Sequence, residues 1–288
     1  MIIDDHNHAN YRHHDFDKTI ENMDRYNIDV TWLLSCEMPL SEWDPYSATE
    51  KAGFTDKAAM PFSDVLEFKH RRPERFVIGY APDPRDPYAI DKLDSAVETH
   101  GVQICGELKY RMMLDDWDAI DLYRYCGEKN LPVLVHLDYP IPRPWRFPRH
   151  HYWFGGGIDS LERCLELCPE TTFIGHAPGF WAHISDDDGY MKASYPEGGV
   201  VPGGKVEKLM RKYKNLYCDF SGQSGCHALS RDHEYTMKFI DEFQDRIMYG
   251  RDVYDNRHQE FLYSLGLEKN VLEKILSGNA LRLVPLRK

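Results

Sequence analysis

Two histidines one residue apart, His6 and His8, close the first β-rich run of the chain. On a strand, residues i and i+2 point to the same side. Both imidazoles can therefore enter one cavity and share one metal ion. A polar N-terminal stretch with two incidental histidines explains the pair as well, since His-x-His alone is common. Three further runs change the balance. Leu131-Pro132-Val133-Leu134-Val135-His136 and Thr172-Phe173-Ile174-Gly175-His176 are apolar runs that end in a histidine, and Arg246-Ile247-Met248-Tyr249-Gly250-Arg251-Asp252 ends in an acid. Each polar end alone reads as an ordinary loop residue. Four runs that all end in imidazole or carboxylate are hard to obtain by accident, and those are the ligands that zinc and related divalent ions favour.

A fifth run, Cys105-Gly106-Glu107-Leu108-Lys109, places Glu107 and Lys109 on one face by the same alternation. An acid and a base turned inward are costly unless they are paired or bound to metal.

The elements that would position these residues alternate regularly. Strands are expected at Ile2–Asp5, Val30–Ser35, Phe76–Tyr80, Gln103–Lys109, Val133–His136, Thr172–His176, Leu216–Phe220 and Ile247–Gly250. Helices are expected at Phe16–Tyr26, Phe62–Arg71, Tyr88–His100, Trp117–Lys129, Ile158–Cys168, Gly204–Tyr213, Arg231–Phe243 and Glu268–Leu276, with apolar residues three and four apart, as in Leu161, Cys164, Leu165 and Cys168. Strict strand and helix alternation implies parallel strands joined by crossover helices, and eight such units close a (β/α)8 (TIM) barrel, an α/β fold. One domain over residues 1–288 is expected. Three connections are too long for turns: Cys36–Pro61, Asp138–Gly157 and Ala177–Gly203, after strands two, five and six. All three lie on the C-terminal face, where barrel enzymes carry their sites.

The ordered set Asp5-His6-Asn7-His8, Pro132 to His136, Ile174-Gly175-His176, Tyr249-Gly250-Arg251-Asp252 and the closing Leu276-Ser277-Gly278-Asn279-Ala280-Leu281-Arg282-Leu283 resembles the amidohydrolase superfamily. Within it, the set is similar to the amidohydrolase-related branch that includes aminocarboxymuconate semialdehyde decarboxylase. The resemblance implies that His6, His8, His136 and Asp252 are metal ligands, and that His176 is a second-metal ligand or a catalytic histidine. It also implies a bridging Glu107 or a carboxylated Lys109 on strand four, against the alternative of an inner ion pair without metal. Zinc is the first expectation and manganese the second, with one or two ions left open. Many relatives have a small residue before the last acid; here Arg251 stands there, either in the barrel wall or as a cation beside the substrate.

Two reactions follow. A hydrolase of a small amide, cyclic amide or lactone would use Asp252 to move the proton of a metal-activated water, with His176 stabilising the carbonyl oxygen. A non-oxidative decarboxylase of an unsaturated or aromatic acid would use the same centre, with Arg143, Arg146, Arg149 or Arg251 holding the leaving carboxylate. A barrel that has lost catalysis and only binds is the third reading; an intact ligand set argues against it. The loop after strand five carries Arg143, Trp145 and Arg146 among stiffening prolines. It reads equally as a cover selecting an anionic or ring-shaped substrate and as a surface packed on a second copy in a homo-oligomer. Lys109 and Arg251 join Arg143, Trp145 and Arg146 as substrate-binding candidates. Asp186-Asp187-Asp188 lacks calcium-loop spacing and reads as a solvated charge run.

Bulk properties narrow the partners. A net charge of −12, from 35 basic and 47 acidic residues, argues against nucleic acid and anionic membrane. No apolar run approaches the roughly 20 residues of a membrane span, and the first residues lack the pattern of a secretory signal. Seven scattered cysteines then fit reduced thiols in the cytoplasm.

Overall fold

A computed structural model describes residues 1–37, 60–138 and 155–287. Among them the strands are β1 (Ile3–Asn7), β2 (Val30–Leu34), β3 (Phe76–Gly79), β4 (Cys105–Leu108), β5 (Val133–His136), β6 (Phe173–His176), β7 (Leu216–Asp219) and β8 (Ile247–Met248). Every pairing is parallel, in the orders β1-β2-β3 and β4-β5-β6-β7-β8. Backbone hydrogen bonds join the two sheets at both seams. Tyr80 N–H donates to Ile104 O at 3.0 Å, and Gln103 N–H to Ile78 O at 3.1 Å, tying β3 to the start of β4. Asp5 N–H donates to Tyr249 O at 3.0 Å, and Asp252 N–H to His6 O at 2.8 Å, tying β1 to the end of β8. The fold is the expected (β/α)8 barrel.

Period-two alternation divides each strand between two cores. Ile3, Val30, Trp32, Leu34, Val77, Ile104, Leu134, Ile174 and Met248 fill the inside of the barrel. Their strand neighbours, such as Leu33, Ile78, Cys105, Val133, Val135 and Phe173, pack outward on the helices. The helix layer follows the 3.6-residue period. In Phe16–Arg25, the buried side chains are Phe16, Thr19, Asn22 and Met23, and Asp15 caps the first turn by accepting from Lys18 N at 3.0 Å.

Helices occupy each stretch expected to be helical, and two differences are informative. Helices Gly222–Ser230 and Arg257–Ser264 stand where loops were expected. The first is rich in Gly and Ser, which reads as a turn, but Gly225 lies so close to Phe220 that a Cβ there would sit 2.4 Å from its backbone. Tertiary contact overrides propensity. The last helix is interrupted: Lys269–Glu273, a wide turn at Lys274–Gly278, then Asn279–Leu283. The wide turn brings Asn279 under the barrel, where its amide donates to Ile247 O and Gln244 O, both at 2.7 Å, closing the floor beneath β8. No helix among the described residues is long and apolar enough to cross a membrane. All seven cysteines are free.

Candidate metal centre

Strand ends of the barrel deliver the site. His6 and His8 come from the end of β1, Glu107 from β4, His136 from β5, His176 from β6, Asp219 from β7, and Asp252 follows β8. His136 and His176 are direct register partners. Ring centroids lie 5.3 Å apart for His6 and His8, 4.2 Å for His6 and His176, and 5.3 Å for His136 and His176.

Glu107 sits at the middle. Its carboxylate is 2.5 Å from His136 Nδ1, 3.4 Å from His8 Nε2, 3.8 Å from His176 Nε2 and 3.9 Å from His6 Nε2. Two ligand triads share it: His6, His8 and Glu107, and Glu107, His136 and His176, with donor atoms within 4.8 Å of one another in each. Asp252 Oδ1 stands 3.6 Å from His8 Nε2. The structure thus brings together all of the expected ligands: His6, His8, Glu107, His136 and Asp252, with His176 beside them.

The far sides of the rings are fixed by acceptors. Asp219, fully buried, accepts from His6 Nδ1 and from His176 Nδ1, each at 3.0 Å. His8 Nδ1 donates to Leu34 O at 2.8 Å. Each bond places a proton on Nδ1 and turns the lone pair of Nε2 inward, the arrangement that metal-binding histidines need. Ser221 holds Asp219 through its N–H at 3.0 Å and its hydroxyl at 2.5 Å. Sequence reasoning passed over Asp219, although Leu216-Tyr217-Cys218-Asp219 ends in an acid just as the other runs end in ligands.

The electrostatics follow. Burial would lower His6, but Asp219, Glu107 and Asp252 outweigh it and raise its pKa to about 10. Burial lowers His8 and His176 against the pull of the same acids. Burial would raise Glu107 and Asp219, yet the histidines around them hold both low. Lys109 is raised despite burial, because Glu107, Asp138, Cys36 and Asp252 surround it. His6 Nε2 is buried without a hydrogen-bond partner. A buried orphan nitrogen amid imidazoles and carboxylates fits a divalent cation, and the nitrogen and oxygen donor set suits zinc or manganese.

The substrate-binding expectations fare unevenly. Arg143, Trp145 and Arg146 lie outside the described residues. Arg251 does not face the mouth: its backbone N–H and Nε bond the Asp4 carboxylate at 2.8 Å each, and Nη1 bonds Asn22 at 2.9 Å. It is buried in the wall at the seam between β1 and β8, where an arginine can seal two elements that a small residue cannot. Arg251 therefore stands in the barrel wall and not beside the substrate, contrary to its expected substrate-binding role. Its seal helps place the next residue, Asp252, at φ 51°.

A family model described as "Amidohydrolase" matches residues 3–286. No curated protein sequence matches. Among solved structures, 2,6-dihydroxybenzoate decarboxylase from Rhizobium is 18% identical, with TM-score 0.58, over 93% of this chain and 87% of that one. Dihydroxybenzoic acid decarboxylase from Polaromonas sp. JS666, with bound manganese and 2-nitroresorcinol, is 16% identical, with TM-score 0.58, over 93% and 85%. A protein described as a probable 2-pyrone-4,6-dicarboxylic acid hydrolase from Acinetobacter baumannii, with citric acid bound, is 14% identical, with TM-score 0.59, over 98% of each chain. At these identities the likeness concerns the fold.

Proposed function

Because the chain belongs to the amidohydrolase family, we propose that it is a metal-dependent hydrolase of a small lactone, cyclic amide or amide. The carrying observation is Glu107, one carboxylate shared by two histidine pairs, His6 with His8 and His136 with His176. His6 and His8 would hold one divalent ion and His136 and His176 a second, with Glu107 within reach of both and zinc the first choice. Bound there, divalent ions lower the pKa of a water and polarise a carbonyl.

The chain's own groups supply the rest. Asp252 lies beside His8 with its side chain 19% exposed, so it can reach both a water and a leaving group. It accepts the proton of the attacking water and returns it to the departing oxygen or nitrogen. His176 carries its proton on Nδ1, toward Asp219, and burial lowers its pKa. That posture offers a lone pair and suits a ligand better than a proton donor. Lys109 remains an ammonium in the field of Glu107 and Asp138, which argues against its carboxylation, a reaction of the neutral amine. It can anchor an anionic group of a substrate. We place this activity in the cytoplasm, acting on a small molecule.

Metal analysis after growth in zinc and in manganese, followed by a screen of lactones and cyclic amides, tests the reading. Two equivalents of metal and hydrolysis are expected. Less than a tenth of an equivalent would end the metal reading. Decarboxylation is the second reading, favoured by the likeness to two solved decarboxylases. Release of labelled carbon dioxide from aromatic acids, without lactone hydrolysis, would establish it instead.

A further inference from the structure

Asp252 stands in a left-handed conformation at φ 51°, which a residue with a side chain keeps only when its surroundings hold it there. The peptide that joins it to Arg251 is held at both ends. The Asp252 N–H donates to His6 O at 2.8 Å, and the carbonyl of Arg251 accepts from Gly222 N–H at 2.9 Å. The first bond ties the peptide to β1, and the second ties it to the turn after β7. Downstream, Asn7 donates to Val253 O at 3.1 Å. Tyr254 donates its hydroxyl proton to His8 O at 2.9 Å, and its ring stacks on His14 at 3.8 Å. Asp252 is thus gripped from β1 by several contacts and from β7 through Gly222.

Gly222 also touches the site. It is left-handed at φ 65°, and a Cβ built on it would stand 3.4 Å from Asp252 Oδ2 and 3.7 Å from His176 Cε1. Its backbone therefore packs against both the carboxylate and the imidazole. Glycine has the widest choice of backbone angles, so this turn needs a lock. His258 supplies one: its Nε2–H donates to Gly222 O at 2.8 Å. A carbonyl only accepts, so the ring carries its proton on Nε2.

His258 is fully buried near the start of the helix Arg257–Ser264, with its ring 5.9 Å from that of Phe220. Among the described residues its Nδ1 has no hydrogen-bond partner. A buried nitrogen without a partner costs stability that an apolar ring in the same space would not. What imidazole gains over phenyl here is one directional bond, and that bond ends on Gly222.

We propose that His258 is a positioning residue: through the carbonyl of Gly222 it locks the turn that holds Asp252 and His176 in place at the mouth. This rests on Asp252 acting at the metal centre, as in the reading above. His258→Phe keeps a ring and removes the bond, and His258→Gln puts an amide N–H where Nε2–H stands. Amide hydrogen exchange in metal-free protein reads the lock directly. In His258→Phe, the Gly222 and Asp252 amides should exchange about fivefold faster or more, the worth of one hydrogen bond. The Leu134 amide should keep its parent rate, and His258→Gln should return both affected amides toward the parent. Cobalt-loaded protein reads the centre: its visible band should shift in His258→Phe and recover in His258→Gln. Turnover of a lactone or cyclic amide that the parent hydrolyses should fall about tenfold or more, with KM near the parent's. Unchanged exchange at Gly222 and Asp252 overturns the proposal. So does a loss that reaches Leu134 equally or that His258→Gln leaves unrestored, because His258 would then only fill space. An unshifted cobalt band overturns it as well, since the turn would not bear on Asp252. Should His258→Phe fail to fold, the nitrogen spectrum of the parent decides: His258 protonated on Nε2 is expected, and a proton on Nδ1 overturns the proposal. If exchange and band respond while the parent hydrolyses nothing, His258 keeps its role and the hydrolase reading falls. If no cobalt binds, the metal reading falls and the exchange rates alone decide for or against His258.

Discussion

The inside of this barrel is two regions with opposite chemistry. Toward the N-terminal end, Val30, Trp32, Val77, Ile104, Leu134 and Ile174 interlock as a dry core. At the C-terminal end, His6, His8, Glu107, His136, His176 and Asp219 occupy the next layer, nearly as buried but all polar. On β5 and β6 the two layers share one inward alternation, Leu134 with His136 and Ile174 with His176, whereas on β1 and β4 a register shift precedes the site and turns His6, His8 and Glu107 inward. The lower layer stabilises by removing apolar surface from water. The upper layer is stable only insofar as its charges answer one another. Glu107 and Asp219 are held low by neighbouring histidines, and His6 is held high by neighbouring acids. The difference shows how one scaffold separates folding from function: a mutation below should cost stability and spare the metal, and a mutation above should do the reverse.

The sharpest test above is His8→Ala. If His8 holds the metal as proposed, metal and turnover should disappear together while the lower core keeps the chain folded. Elemental analysis and circular dichroism check both halves of the claim. Asp252→Asn should lower turnover by about 10²–10⁴-fold, the worth of a positioned base, with only partial loss of metal. Turnover within a few-fold of the parent would pass the role of base to another group.

Below, Leu134→Ala should destabilise by about 2–5 kcal/mol, the usual range for a large-to-small core change. Its metal affinity should match the parent's, and a weakened affinity would mean that the two layers are coupled. Asp219→Asn removes the charge that orients His6 and His176 and should weaken metal binding by roughly 10–100-fold. A chelator competition reads this directly. If affinity is unchanged, the inward lone pairs are set by something other than Asp219.

The smallest effect is on pH. His6 rises from its ordinary 6.5 to about 10 when folded without metal. A raised pKa contributes stability that is fully present below 6.5 and is lost as pH climbs through about 10. Glu107 and Asp219 are depressed, so their contribution is present above their ordinary values of 4.5 and 3.8 and is lost as pH falls toward the folded values. His8 and His176 are lowered, so their contribution is lost as pH falls below 6.5, and metal-free protein should therefore melt highest near pH 6.5. Metal-loaded protein should prefer higher pH, because the ion displaces the His6 proton. Melting curves from pH 5 to 9, with and without chelator, settle the sign; a metal-free melting temperature that climbs from pH 6.5 to 9 would contradict the His6 and Asp219 pairing.

By itself the sequence determined the barrel and the ligand types. Alternating runs marked the strands, and the order of their polar ends, through its resemblance to the amidohydrolase superfamily, marked His6, His8, Glu107, His136 and Asp252 as candidates, whereas the register shifts that turn His6, His8 and Glu107 inward appear only in the fold. Asp219 was legible by the same rule and was passed over because its partners are 213 and 43 residues away. Arg251 illustrates the other case. Its neighbours in sequence allow it to face wall or substrate, and only the closing of β8 on β1 decides for the wall, because that closure puts Asp4 and Asn22 within bonding distance. The left-handed turn at Arg12 and His13 (φ 50° and 60°) was likewise invisible, since nothing in Tyr11-Arg12-His13-His14 favours it. Local sequence sets which dihedral angles are cheap. Tertiary structure decides which costly ones are kept, because only packing against distant residues such as Tyr254 can offset their strain.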